Sequence, residues 1–166
     1  MDAPLLTLYR GQKEWAPGMA ITAPSLRCDF GAGNPRIRTK VILEFFYGLI
    51  AATEAGDSGA RAALENELLQ MQTKKYTNPF VSCSQAWWVA EGFAKKGDTS
   101  GFVLTIDGAY EAGVAISELR EKYDLAGDAV DHLKEFGIPE RLGPPFFVKR
   151  VQEVYPYGKP AKDVFP

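Results

Sequence analysis

The sequence predicts an α+β fold in one domain, on three observations. Segments with strand and helix patterning follow the order strand, helix, helix, strand, helix, strand, irregular region, strand. The 166 residues suffice for one core and are too few for two. The chain shows no internal repeat and no stretch with linker composition.

Leu5–Arg10 (LLTLYR) reads as a short strand that Gly11 breaks. Trp15 to Pro35 is rich in Gly, Pro, Ala and Ser and reads as irregular connection. Val41, Phe45, Leu49 and Ala52 recur at helical spacing and predict a helix over about Arg36 to Ala55, stopped by Gly56-Asp57-Ser58-Gly59. A second helix, about Ala60 to Lys74, is dense in Ala, Leu and Glu. The two make a helical hairpin after the first strand.

Asn78-Pro79 stops the helical pattern, and Phe80-Val81-Ser82 reads as a strand end. Ser84 is placed to cap a helix from Gln85 to about Lys96, on which Ala86, Ala90 and Ala94 form a small-residue stripe. Gly101 to Asp107 is the clearest strand. Val114–Tyr123 and Asp128–Phe136 read as short helical pieces, with Gly137 as C-cap of the second. Phe146–Val154 alternates as a strand, but Val148 and Val151 do not share a face, which predicts a bulge. The tail from Tyr155 reads as irregular.

Bulk properties exclude several function classes. With 19 basic and 21 acidic residues, no broad field points to nucleic acid or an acidic membrane surface. Two cysteines, Cys28 and Cys83, and one histidine, His132, give neither a disulfide framework nor zinc-ligand spacing. One histidine also argues against a mechanism built on a Ser-His or Cys-His pair. No signal-like segment opens the sequence, and the longest apolar run, Phe45 to Ala52, is too short to span a bilayer. The expected location is cytoplasmic, or inside a target cell after delivery without a signal peptide.

Three patches then carry chemistry: Tyr9-Arg10-Gly11 on the first strand, Phe80-Val81-Ser82-Cys83-Ser84 running into a helix, and an acidic residue near the last strand. With LYRG, FVSCSQAWWVAEGFA and SGFVLTIDG in that order, the chain resembles the arginine–serine–glutamate branch of the ADP-ribosyltransferases, the group of the cholera-like toxins and the mammalian arginine-modifying enzymes. The resemblance covers roughly residues 5–11 and 76–154 and departs at Cys83, where the family has Thr.

The resemblance implies an ADP-ribosyltransferase-like split β-sandwich with an N-terminal helical insertion, one catalytic domain over residues 1–166. It implies NAD as substrate, no metal, cleavage of the nicotinamide–ribose bond and transfer of ADP-ribose to a protein or nucleic-acid acceptor. A toxin or effector role follows, with an inhibitor or immunity protein as a further partner and no membrane. The alternatives are an NAD glycohydrolase with water as acceptor, and an inactive module that binds a nucleotide or protein.

By the same resemblance Arg10 meets the pyrophosphate, where a guanidinium makes charge-assisted, often bidentate bonds. Gly11 lets backbone approach the nicotinamide, with Tyr9, Ser82 and Ser84 around it. Ser82 orients the catalytic carboxylate, and Trp87, Trp88 and Phe93 are candidates for an aromatic wall. A carboxylate stabilises the oxocarbenium-like ribose, as in glycoside hydrolysis. Three acids compete for that role. Glu140 opens ERLGPPFFV, similar to the E-V-L-I-P-P-x-x-F pattern of the mammalian enzymes. Glu135 opens EFGIP, which resembles the G-I-P turn of the toxin branch, and ungapped alignment of that turn selects Asp131. The order of preference is Glu140, Glu135, Asp131, because a helical reading of Asp128–Phe136 takes Glu135 off a strand. Arginine-modifying members carry Glu or Gln two residues before the catalytic glutamate; here that position is Ile138 or Leu133, which argues for another acceptor.

Overall fold

The structure, a computed structural model, describes residues 5–27, 33–125 and 134–165. Asp131, His132 and Cys28 lie outside the described residues. The elements are β1 (Leu5–Gln12), α1 (Pro35–Glu54), α2 (Ser58–Thr73), β2 (Phe80–Ser84), α3 (Trp87–Ala94), β3 (Gly101–Ala109), α4 (Ile116–Lys122), β4 (Glu135–Pro139), β5 (Phe147–Val154) and β6 (Lys162–Phe165). This is an α+β arrangement. The strands form one antiparallel sheet in the order β4-β2-β1-β3-β5-β6.

Two well-zipped halves make up that sheet. β1 pairs with β3 from Leu5↔Ala109 to Gln12↔Phe102, so it runs through Gly11, where its end was expected. β2 pairs with β4 from Phe80↔Pro139 to Ser84↔Glu135. Between the halves, β1 and β2 share one registered pair, Tyr9↔Ser84. On the far side the predicted bulge is present: Thr105 faces Arg150 and Ile106 faces Val148, which leaves Lys149 as the extra residue. β6 corrects the reading of the tail as irregular. The turn-rich stretch 155–160 returns the chain so that 162–165 pairs with β5.

The helical hairpin packs beside β2. Asn34 caps α1 by accepting from the backbone N–H of Arg36 and Ile37, with Pro35 in the first turn. The buried face of α1 carries Leu43 and Phe46, whereas Val41 and Phe45 of the predicted stripe are exposed. Apolar side chains occur on more than one side of α1, so spacing alone leaves the choice of face open. Packing decides it: Phe46 meets the Phe80 ring edge-on at 5.4 Å and clusters with Leu64 and Leu68 of α2.

α3 packs against β1, and here the small-residue stripe finds its reason. A Cβ on Gly11 would sit 1.9 Å from the Ala90 carbonyl oxygen, and one on Gly101 would sit 2.1 Å from that of Ala94. Gly11 is therefore required by close helix–strand packing, a structural reason that does not involve a ligand. Gly11→Ala is expected to destabilise the fold by about 3 kcal/mol, lowering Tm by roughly 10 °C. Gly92 on α3 has open space around its Cβ position. Gly92→Ala should raise stability by about 0.5–1 kcal/mol. Thermal unfolding of the two variants checks both signs.

The segment before α4 is tied to β4 by a reciprocal pair, Val114 N–H to Gly137 O at 2.9 Å and Gly137 N–H to Val114 O at 2.8 Å. Gly137 is thus mid-strand and not a helix C-cap, and a Cβ there would meet the Phe80 ring at 2.7 Å. This corrects the helical reading at its end: Glu135 opens a strand, and 126–133 lie outside the described residues.

Candidate functional site

A cleft of about 400 Å³ opens where β1 and β2 diverge. That is the low end of the range for small-molecule sites. Its polar side is lined by Tyr9, Arg10, Gly11, Ser82, Ser84 and Glu135. Its apolar side is built by Leu68 and Met71 of α2, Val89 and Phe93 of α3, and Ile116 of α4.

Arg10 bridges the parting strands. Its Nη1 donates to Ser82 O at 2.8 Å and its Nε to the Gln12 side chain at 2.9 Å, so two acceptors hold the guanidinium plane. Gln12, two residues along β1, in turn donates to Glu14 O at 2.7 Å. Burial lowers the Arg10 pKa, with Cys83 opposing and Arg27 adding to the effect; an arginine stays charged regardless. A fixed cation with N–H groups at a cleft wall is suited to a phosphate or carboxylate.

Glu135 sits directly opposite Ser84 across the β2–β4 pair, while Ser82 is opposite Gly137. Ser84 is accordingly the register neighbour of the carboxylate, and Ser82, given that place by the sequence, is two pairs further along with its side chain exposed. Ser84 does not cap α3: it ends β2, and its Oγ accepts from Ala86 N–H at 3.0 Å, which tightens the turn into the helix. Burial raises the Glu135 pKa, and the charges of Arg120 and Lys75 pull it back down. The ionised form is thus desolvated but countered by cations, the setting that tunes carboxylates for acid–base or electrostatic roles.

Glu140 is not part of this cleft. It follows the far end of β4, on the order of 15 Å from Glu135 at strand rise. Its backbone adopts φ 65°, its N–H donates to Pro79 O at 2.9 Å, and its O accepts from Ala23 N–H at 2.7 Å. It lines a shallow depression with Arg36, Lys40 and Arg141. The first-choice glutamate is thus apart from Arg10 and Ser82, and the second choice joins them. The reason is the register: with Gly137 in β4 beside β2, the strand starts at Glu135 and runs away from the cleft.

Of the aromatic candidates, Phe93 lines the cleft while 53% exposed. Trp87 lies elsewhere, donating from Nε1 to the Gln152 side chain at 3.3 Å in a separate depression on the β1-β3-β5 half. Trp88 is 58% exposed and does not line the cleft. Cys83 is buried in the sheet core with Leu8 and Phe136, and burial pushes its thiol up to about 12, which disfavours the reactive thiolate.

The sequence missed the contribution of the helices to the cleft. Lys75 and Gln72 come from the end of the hairpin, and Arg120 lies one turn after Ile116 on α4. The one signal for it was a charged residue at helical spacing from an apolar one, Ile116 and Arg120. No helix among the described residues is long and apolar enough to cross a membrane. No protein-family model matches the chain, and no curated protein shows a significant match to it.

Proposed function

We propose that this cleft binds NAD and breaks its nicotinamide–ribose bond, with transfer of ADP-ribose to a macromolecular acceptor. The convergence of Arg10, Ser84 and the partly buried Glu135 on one cleft carries the reading. The split-sandwich expectation draws support from the single Tyr9↔Ser84 pair that joins the two halves of the sheet.

In this reading Arg10 holds the pyrophosphate, and the apolar side near Phe93 receives the nicotinamide ring. As the C1′–N bond breaks, its electron pair goes to the departing nicotinamide, and positive charge develops on the ribose. Glu135, ionised, stabilises that charge through the ribose hydroxyls. The acceptor then forms a bond to C1′ and gives up its proton. The required form of Glu135 sets a pH dependence. Its pKa is raised above 4.5 by burial, so kcat/KM should fall on the acid side with a midpoint above 4.5. The same raised pKa means that ionised Glu135 opposes folding. Stability should therefore fall as the pH rises through that midpoint, and Glu135→Gln should remove this part of the pH dependence of Tm.

Leu133, two residues before Glu135, keeps the hydrolytic alternative in play, since arginine-modifying enzymes carry Glu or Gln there. Incubation with NAD labelled on the adenylate half separates the readings. Label on protein or RNA supports transfer, free ADP-ribose alone supports hydrolysis, and no nicotinamide release rejects both in favour of a binding module.

A further inference from the structure

Arg120 is 3% exposed, yet it lines the cleft. Burying a guanidinium is costly unless opposite charge and hydrogen bonds offset the lost hydration, so its location asks for a reason. The backbone supplies the placement. The Val114–Gly137 pair fixes where α4 starts against β4. From there Ser117 Oγ reaches Glu135 O at 3.4 Å, and Ile116 and Arg120, one turn apart, both contribute to the cleft lining. Gly113 permits this closeness, since a Cβ there would lie 2.3 Å from the Phe136 ring and 2.7 Å from Gly137 O.

We propose that Arg120 is a positioning residue for Glu135, a buried guanidinium on α4 that keeps the carboxylate ionised and oriented within the cleft. The proposal rests on Glu135 being the carboxylate that acts on the ribose. Arg120 is the larger of the two cationic influences that lower the Glu135 pKa, with Lys75 second. The other titratable residues lining the cleft are Arg10 and Tyr9 from β1 and Cys83 from β2; Asp128, Asp131 and His132 lie outside the described residues. Among the described residues no second carboxylate lines the cleft. When a ligand displaces water, a carboxylate already raised by burial would protonate and lose its use, and an adjacent cation prevents this.

The test is a titration of Glu135 by NMR in protein labelled with ¹³C-glutamate, its signal assigned with Glu135→Gln, in wild type, Arg120→Lys and Arg120→Gln. Arg120→Gln should raise the Glu135 midpoint by about one unit or more, and Arg120→Lys should hold it near the wild-type value. In parallel, the acid limb of NAD cleavage should move to higher pH in Arg120→Gln and stay near its wild-type position in Arg120→Lys. A merely structural role would lower activity without moving the limb. If Arg120→Gln does not fold, the reciprocal reading decides: in Glu135→Gln the ¹⁵N guanidinium signals of Arg120, assigned with Arg120→Lys, should move. An unmoved Glu135 midpoint, or unmoved guanidinium signals, overturns the proposal. A moved midpoint in a protein that never cleaves NAD keeps the role of Arg120 and removes the proposed function.

Discussion

Glu135→Gln is expected to reduce nicotinamide release from NAD by about 10³-fold, while Glu140→Gln leaves it within about twofold. The larger effect follows from where charge develops. A preorganised group aimed at a forming charge in a water-poor site contributes about 10²–10³ in rate, and the glutamine keeps the shape while removing the charge. The cleft holds no second carboxylate among the described residues that could take over. Glu140 stands elsewhere: it follows β4 with a positive φ and lies among Arg36, Lys40 and Arg141 at another surface. Its substitution therefore changes a surface charge and little else. Parallel rate measurements on the two variants, each shown to be folded, check the assignment. Full activity in Glu135→Gln would return the search to Asp131.

Arg10→Ala is expected to raise KM for NAD by about 10- to 150-fold, with a smaller change in kcat. The range is the roughly 1.5–3 kcal/mol that a charge-assisted hydrogen bond contributes, expressed as a ratio. Arg10→Lys should recover only part of the loss, since an ammonium keeps the charge but not the fork that meets a phosphate bidentately. A structural share must be separated out. Arg10 also donates to Ser82 O across the parting strands, so the alanine variant loosens the β1–β2 junction. Adenosine diphosphate ribose as inhibitor isolates the phosphate contribution, because its Ki should rise in step with KM. An unchanged Ki would place the pyrophosphate elsewhere.

The fold was legible where the chain's local chemistry leaves one option. The helix read over about Arg36 to Ala55 is present, Gly101–Asp107 is a strand, and the misfit of Val148 with Val151 marks a real bulge. Legibility failed where a partner decides. Which side of α1 is buried depends on Leu64, Leu68 and Phe80, all from other elements. Gly137 carries the local signature of a helix end, and only the Phe80 ring above it shows why glycine is needed in a strand. That misreading displaced Glu135 from its strand and moved preference to Glu140. In the same way Gly11 suggested approach to a ligand, whereas α3 is what presses against it. Arg10 and the two serines were legible from the motifs on their strands, although the places of Ser82 and Ser84 relative to the carboxylate were exchanged. Arg120 was not, because its role depends on a strand that begins fifteen residues later.

The most direct measurement is a crystal structure of the Glu135→Gln protein with NAD, a variant that should bind the dinucleotide without consuming it. The pyrophosphate is expected within hydrogen-bond reach of the Arg10 guanidinium, and the side chain at 135 should face the hydroxyls of the nicotinamide ribose. Electron density for NAD away from the β1–β2 divergence, or none at millimolar concentration, would contradict the assignment of this cleft.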